Sequence, residues 1–146
     1  MASIATPAGE AAGRPEEEVS LVRLYVLRAA YLLLIVGLGG LVVPQIVSHP
    51  ITDRGVIAAL LGGIWLLAFA GLRYPLQMLP LLLFEFAWKL IWVASYGLPS
   101  WAAGQLTPVT AEDLTNTLVG VVLMPLVIPW PYVWRRYVRQ PAARWR

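Results

Sequence analysis

The sequence predicts an all-α integral membrane protein, a four-helix bundle with both termini in the cytoplasm. Of the 146 residues, 59% are hydrophobic and only 13% are charged, whereas an average soluble domain is about 45–50% apolar. The apolar residues also fall in four long blocks that carry almost no charge. A block of about 20 such residues is the length that crosses the hydrocarbon core of a bilayer as a helix.

The four blocks give the element order. The first span is preceded by a helical lead-in that starts near Val19, and Pro44 is expected to kink its far end. Thr110 to Asp113 resemble a capping box before the fourth span, and three prolines near its end are expected to end or bend that helix. The predicted spans are residues 29–48, 55–72, 75–97 and 114–134.

The two ends of the chain are predicted to be tails. Residues 1–20 are rich in Ala, Gly, Pro and Glu and have no apolar period, which is typical of a disordered cytoplasmic segment. Residues 140–146 form a basic cytoplasmic tail. With the preceding arginines, this tail is expected to lie against anionic lipid, and a partner-binding tail is the alternative. The loop at 97–111 either dips into the interface or covers the end of the bundle.

Arginine counts predict the orientation. Four spans place both termini on one side, and nine arginines belong to the segments on that side, against Arg54 alone on the other. Because cytoplasmic segments carry the excess of Lys and Arg, the termini are predicted to be cytoplasmic. The net charge of +3 is explained by these flanking residues, so we expect no nucleic acid partner.

Small residues in the second span predict where helices pack closely. Gly55, Ala59 and Gly63 recur at four-residue spacing, and close contacts between membrane helices are made by such residues. The second and third spans are joined by only Arg73 and Tyr74. Matching depths across this short connection places Glu85 beside the small residues of the second span.

Glu85 and Lys89 lie in the middle of the third span. A charge at the centre of the bilayer costs roughly 2.5–3.5 kcal/mol on insertion scales, and a Glu four residues before a Lys is the favourable order for a helical ion pair. On a helical wheel, they share a face that should point into the bundle. The residues of this candidate ligand or ion site are Gln77, Glu85, Trp88, Lys89, Trp92 and Tyr96.

Two interpretations of this face stay open. In the first, the pair neutralises itself inside the bundle and orients one helix. In the second, it is a proton or substrate site, with Glu85 as a titratable carboxylate, Lys89 as its modulator, and Trp88 and Trp92 as walls. The adjacent lysine disfavours a proton carrier, because an opposite charge holds a carboxylate ionised.

Several function classes lack support in the sequence. The chain has no cysteine and a single histidine, His49, so we expect no metal site and no thiol chemistry. We find no phosphate-binding loop, nucleophile elbow or paired catalytic carboxylates. Catalytic residues and cofactors are therefore not predicted, and we do not expect an enzyme.

One part of the chain resembles a known group of proteins. The segments RYPLQMLP (73–80) and FEFAWKLIW (84–92) resemble part of the uncharacterised small four-span bacterial inner-membrane proteins. The resemblance implies a bacterial inner (plasma) membrane location and no assigned activity. Small multidrug transporters also have four spans and a membrane glutamate, but theirs is a lone glutamate in the first span.

These observations lead to two functional hypotheses. The first is a non-enzymatic membrane component that binds a partner protein or an apolar ligand, with Glu85 and Lys89 in the core of the bundle. The alternative is a small oligomeric transporter that uses Glu85 for proton or cation coupling. The expected partners are the lipid bilayer and either further copies of the chain or another membrane protein.

Overall fold

Two helical hairpins form the described part of the protein, which a computed structural model gives for residues 19–48 and 55–141. In the first hairpin, α1 (Leu21–Ser48) packs along α2 (Gly55–Arg73). In the second, α3 (Leu79–Ala102) packs against α4 (Pro108–Val127). A short helix, α5 (Trp130–Val138), follows α4. These residues contain no strand, so the predicted all-α class is confirmed.

Helix α1 is the longest element, with 28 residues. At 1.5 Å per residue it extends roughly 42 Å, well beyond the ~30 Å of a hydrocarbon core. The backbone N–H of Arg23 donates to Ser20 Oγ at 3.4 Å, and Val19 is buried. Val19 and Ser20, the last two residues of the predicted tail, therefore belong to the packed structure. The rest of that tail, His49 and most of the C-terminal tail lie outside the described residues.

Helix α3 differs from the predicted third span at both ends. Residues 75–78 form a turn, so the helix starts at Leu79 rather than Pro75. Pro80 lies in its first turn, where a missing N–H costs nothing. Further along, Val93–Gly97 forms a π-helical turn in which the Leu98 N–H donates to Val93 O. The helix then continues to Ala102, so part of the predicted loop is helical.

Helix α4 begins earlier than predicted and ends in a sharp bend. Its N-cap is Thr107, whose side chain accepts a hydrogen bond from the Thr110 N–H at 3.2 Å. The prediction of a capping box at Thr110 is therefore wrong. Since Pro129 has no N–H, Pro125 O loses its helical donor, and Trp130 Nε1 donates to it at 2.9 Å instead. The axes of α4 and α5 differ by 72°.

The hydrophobic core lies at one end of the bundle. We call this end of the bundle the arginine end. It comprises the first half of α1, the second half of α2, the start of α3, and the end of α4 with α5. The opposite end, where α1 finishes and α2 and α4 begin, is called the loop end. The buried core residues are Val19, Leu24, Leu27, Ala30, Tyr31, Leu34, Ile64, Ala68, Leu76, Leu79, Leu81, Leu82, Met124, Val127, Ile128 and Tyr132.

Candidate functional site

The candidate site is centred on Glu85, whose side chain is fully buried in α3. Lys89, one turn later, forms an ion pair with it through Nζ and Glu85 Oε2. The lysine side chain is 12% exposed. The four-residue spacing that the sequence shows therefore brings the two charges into direct contact on one face of the helix.

Gly120 of α4 lies against the Lys89 side chain and leaves room for it. A Cβ atom added to Gly120 would lie 2.6 Å from Lys89 Cδ and Cε, closer than any side chain tolerates. Near the loop end, a Cβ on Gly97 of α3 would lie 2.7 Å from Leu114 Cδ1. These two contacts show that α3 and α4 run antiparallel and close together. Lys89 therefore contacts α4. At the two glycines of α2 that were expected beside Glu85, a Cβ on Gly62 would meet only Ile46 and Val42, and one on Gly63 would meet nothing within 4 Å.

Trp88 completes the site. Lys89 Nζ lies 4.2 Å from the centroid of the Trp88 ring, within the range of a cation–π interaction. The ammonium thus has a carboxylate oxygen on one side and an indole face on another. Both contacts lower the cost of keeping its charge away from water.

Two polar atoms of the site have no hydrogen-bond partner in the described part of the chain. They are Glu85 Oε1 and Trp88 Nε1, and both are buried. A buried polar atom without a partner costs roughly 1–3 kcal/mol. The ion pair therefore satisfies only one of the two carboxylate oxygens.

The other predicted site residues lie apart from this group. Gln77 precedes α3, in the turn, and is exposed. Trp92 packs on the backbone at Gly97, where an added Cβ would lie 3.0 Å from its Cζ3. Tyr96 is 63% exposed because the π-helical turn changes the direction of the helix face there. The structure thus brings together Glu85, Trp88 and Lys89.

The predicted packing row does not contact another helix of this chain. Gly55, Ala59 and Gly63 are all exposed, and a Cβ on either glycine would have no neighbour within 4 Å. Instead, α2 packs through the adjacent positions. A Cβ on Gly62 would lie 3.0 Å from Ile46 Cδ1, and one on Gly71 would overlap the Tyr31 ring.

Sequence reasoning missed a second polar group, at the arginine end. Three side chains of α1 donate to backbone carbonyls at helix ends and turns: Arg23 Nη2 to Ile128 O at 2.8 Å, Arg28 Nε to Leu72 O at 3.2 Å, and Tyr31 Oη to Pro75 O at 3.0 Å. Terminal carbonyls lack helical donors, and cations are favoured at helix C-termini. The only signal for these contacts in the sequence is the set of basic residues that flank the spans. Those residues predict the orientation of the chain in the membrane, not contacts with carbonyls.

These features define the class of protein. In the described part of the chain the structure is helical, and three helices there are long and apolar enough to cross a membrane, or four if α4 and α5 form one broken span. Within residues 19–48 and 55–141, no group of three or more His, Cys, Asp or Glu side chains is placed to hold a metal ion.

Comparison with family models, curated proteins and solved structures gives no match to this chain. The resemblance of residues 73–92 to four-span bacterial proteins stays a prediction.

Proposed function

We propose that this chain is a multi-pass protein of the bacterial inner membrane that acts as a non-enzymatic binding component. It binds a partner protein or an apolar ligand, and the Glu85–Lys89 pair is the polar part of its core. The positive-inside distribution of arginines supports cytoplasmic termini. In support of the membrane location, the helices keep long runs of exposed apolar side chains, such as Leu32, Leu66 and Val122.

One observation supports the proposal most strongly: the Glu85–Lys89 pair is buried, and its two opposite charges neutralise each other. Glu85 is 0% exposed, and Lys89 contacts both its carboxylate and the Trp88 ring. A transported ion has to reach the carboxylate and leave it again, which needs access from both sides. A buried pair within α3, whose lysine packs against Gly120 of α4, fits a helix-orienting role better.

A second candidate is proton- or cation-coupled transport through Glu85 by an oligomer. The observation that favours it is Glu85 Oε1, which receives no hydrogen bond from the described residues. A purely structural carboxylate usually has donors at both oxygens. The two candidates differ in whether Glu85 contributes to the stability of the fold or to the transport of a proton or cation.

A double-mutant cycle separates them. Glu85→Gln, Lys89→Met and the double variant are compared with the wild type by thermal unfolding in detergent. Under the proposal, each single change costs about 3–5 kcal/mol, because it leaves one buried charge or polar group unpaired, and the double variant recovers most of the loss. The exposed Gln77→Met variant is the control and should change stability by less than about 0.5 kcal/mol.

Proton flux provides the second measurement. Wild type and Glu85→Gln are reconstituted in liposomes with an internal pH-sensitive dye and an imposed pH gradient. The proposal predicts equal leak for the two proteins. A neutral or stabilising Glu85→Gln change, together with loss of a wild-type proton flux, would reject the proposal and establish the transporter.

A further inference from the structure

The bend after α4 is a fixed feature of the fold. The Pro125 carbonyl is bound by Trp130 Nε1 at 2.9 Å, and the Ile128 carbonyl by Arg23 Nη2 at 2.8 Å. Tyr132, in the first turn after the bend, is buried in the core. Two carbonyls at the break, those of Pro125 and Ile128, therefore have side-chain donors, and a buried aromatic residue anchors α5 to the core.

This bend sets the direction of the basic segment, which we define as residues 130–139. Helix α4 has 20 residues and rises roughly 30 Å, about the thickness of the hydrocarbon core. The helix after the break turns 72° away from that axis. When α4 crosses the membrane, the basic segment consequently runs close to the plane of the membrane.

The side chains of the basic segment suit the boundary between lipid and water. Beyond Tyr132, the exposed aromatic residues are Trp134 and Tyr137, and such rings favour the headgroup level. Three arginines accompany them, at positions 135, 136 and 139, and the sequence contains no Asp or Glu after Asp113. Within the basic segment, Arg136 donates to the exposed side chain of Gln140, whereas the guanidinium groups of Arg23 and Arg28 bind backbone carbonyls of the core.

We propose that the basic segment lies in the membrane interface and binds the phosphate headgroups of anionic phospholipids. Guanidinium groups match phosphate oxygens in geometry and charge. The neighbouring rings hold the segment at the depth of those phosphates. The inference does not depend on the role of Glu85. It gives this end of the protein a ligand class: a phospholipid with a net negative charge.

A lipid titration tests the ligand class. The purified wild type in neutral detergent is titrated with phosphatidylglycerol or phosphatidylcholine, and binding is followed by native mass spectrometry. We expect tighter binding of phosphatidylglycerol, weakened about fivefold for each arginine removed. The test variant is R135Q/R136Q/R139Q. The charge-keeping variant R135K/R136K/R139K should retain most of the preference. Arg73→Gln, an exposed arginine at the same end, should change little.

Three outcomes would overturn this proposal. The first is equal binding of the two lipids by the wild type. The second is unchanged phosphatidylglycerol binding by R135Q/R136Q/R139Q. The third is displacement of the lipid by glycerol phosphate or by a polyglutamate peptide at the same concentration as the lipid, which would identify a soluble phosphate site or an acidic protein surface instead.

Spin labels test the orientation without relying on lipid selectivity. The chain has no cysteine, so Trp134→Cys and Val138→Cys each give one label in the basic segment, and Val122→Cys gives one in α4. In liposomes, we expect the labels at 134 and 138 at equal, interfacial depth and the label at 122 deep in the hydrocarbon. If the segment instead continued across the membrane, the first two depths would differ by roughly 6 Å and the proposal would fail.

Discussion

The arginine end and the loop end of this bundle are held together in different ways. At the arginine end, residues of α1, α2, α3 and α4 share one buried cluster. At the loop end, the close contacts that the glycines show each lie within one hairpin. Val42 lies against Gly62 in the first hairpin, and Leu114 lies against Gly97 in the second. Val42, Val93 and Leu114 are buried, yet none of them belongs to the common core.

Under the proposed membrane location, this difference shows what joins the two hairpins. Lipid tails are as apolar as leucine, so apolar burial alone gives little drive for association. At the arginine end, α1 adds donors for carbonyls in the α2–α3 turn and at the end of α4. The Glu85–Lys89 pair lies at the boundary, since Phe86 is the last residue of α3 that packs on the core.

Among the variants that compare the two ends, the largest expected effect is the loss of Tyr31, whose ring and hydroxyl both make contacts at the arginine end. Its ring is fully buried and its hydroxyl binds Pro75 O. We expect Tyr31→Ala to cost about 3 kcal/mol, the lower end of the range for buried aromatic residues, because transfer to lipid offsets part of the loss. Tyr96→Ala, at the exposed loop-end tyrosine, should cost under about 0.5 kcal/mol. Thermal unfolding in detergent compares them, and equal losses would contradict a core confined to the arginine end.

Arg28→Met tests the carbonyl contacts. It removes the donor to Leu72 O while keeping an apolar side chain of similar length. We expect a loss of about 2 kcal/mol, typical of a hydrogen bond from a charged group. Arg73→Met is the matched control, because the contacts described for Arg73 are with the hydroxyl and the ring of the exposed Tyr74. If the two variants unfold at the same temperature, Arg28 serves orientation alone.

A pair of glycine substitutions compares a packed position with an open one on α2. Gly71→Ala places a methyl group against the Tyr31 ring and should cost about 1–2 kcal/mol through overpacking. Gly63→Ala meets no neighbour and should stabilise the helix by up to about 1 kcal/mol. Both are measured by unfolding in detergent and by size-exclusion chromatography with light scattering. A destabilised Gly63→Ala variant with a smaller assembly would instead make the row of Gly55, Ala59 and Gly63 a contact between copies.

The smallest expected effect is local to the loop end. Thr107→Ala removes the N-cap of α4 and should cost about 1 kcal/mol. Thr110→Ala removes only a hydroxyl contact to Thr107 and should cost less. Amide hydrogen exchange of the first turn of α4 reports both. Faster exchange in Thr110→Ala than in Thr107→Ala would favour the cap that the sequence predicted.

The sequence was sufficient for those features that depend on local spacing. Apolar length predicted the helices, and the four-residue interval between Glu85 and Lys89 predicted their contact. It could not determine which helix face meets which neighbour. Gly62 and Gly63 are adjacent in sequence, yet only Gly62 packs against α1, and small residues at four-residue spacing occur on both faces. The partner of Lys89 is a glycine of α4, 31 positions away in sequence, which no local pattern specifies.

The arginine contacts are a second feature of the structure that the sequence could not predict. Arg23 binds Ile128 O, 105 positions further along the chain. In the sequence alone, arginines beside a span predict a position at the lipid interface. The role of Arg23 as a carbonyl donor depends on the proline break after α4, and on the packing that brings α1 alongside it.

The π-helical turn at Val93–Gly97 gives α3 a place that can lose one residue without turning the rest of the helix. Its hydrogen bond from Leu98 N–H to Val93 O spans five residues instead of four, so this turn holds one residue more than an α-helical turn. Deleting a single codon there would restore regular winding and keep Glu85 and Lys89 in place. The residues beyond the deletion, Trp101 among them, would keep their direction about the helix axis, because an α-helical turn closes the same rotation with one residue fewer. A one-residue gap at this point would therefore leave both the ion pair and the surface at the loop end unchanged.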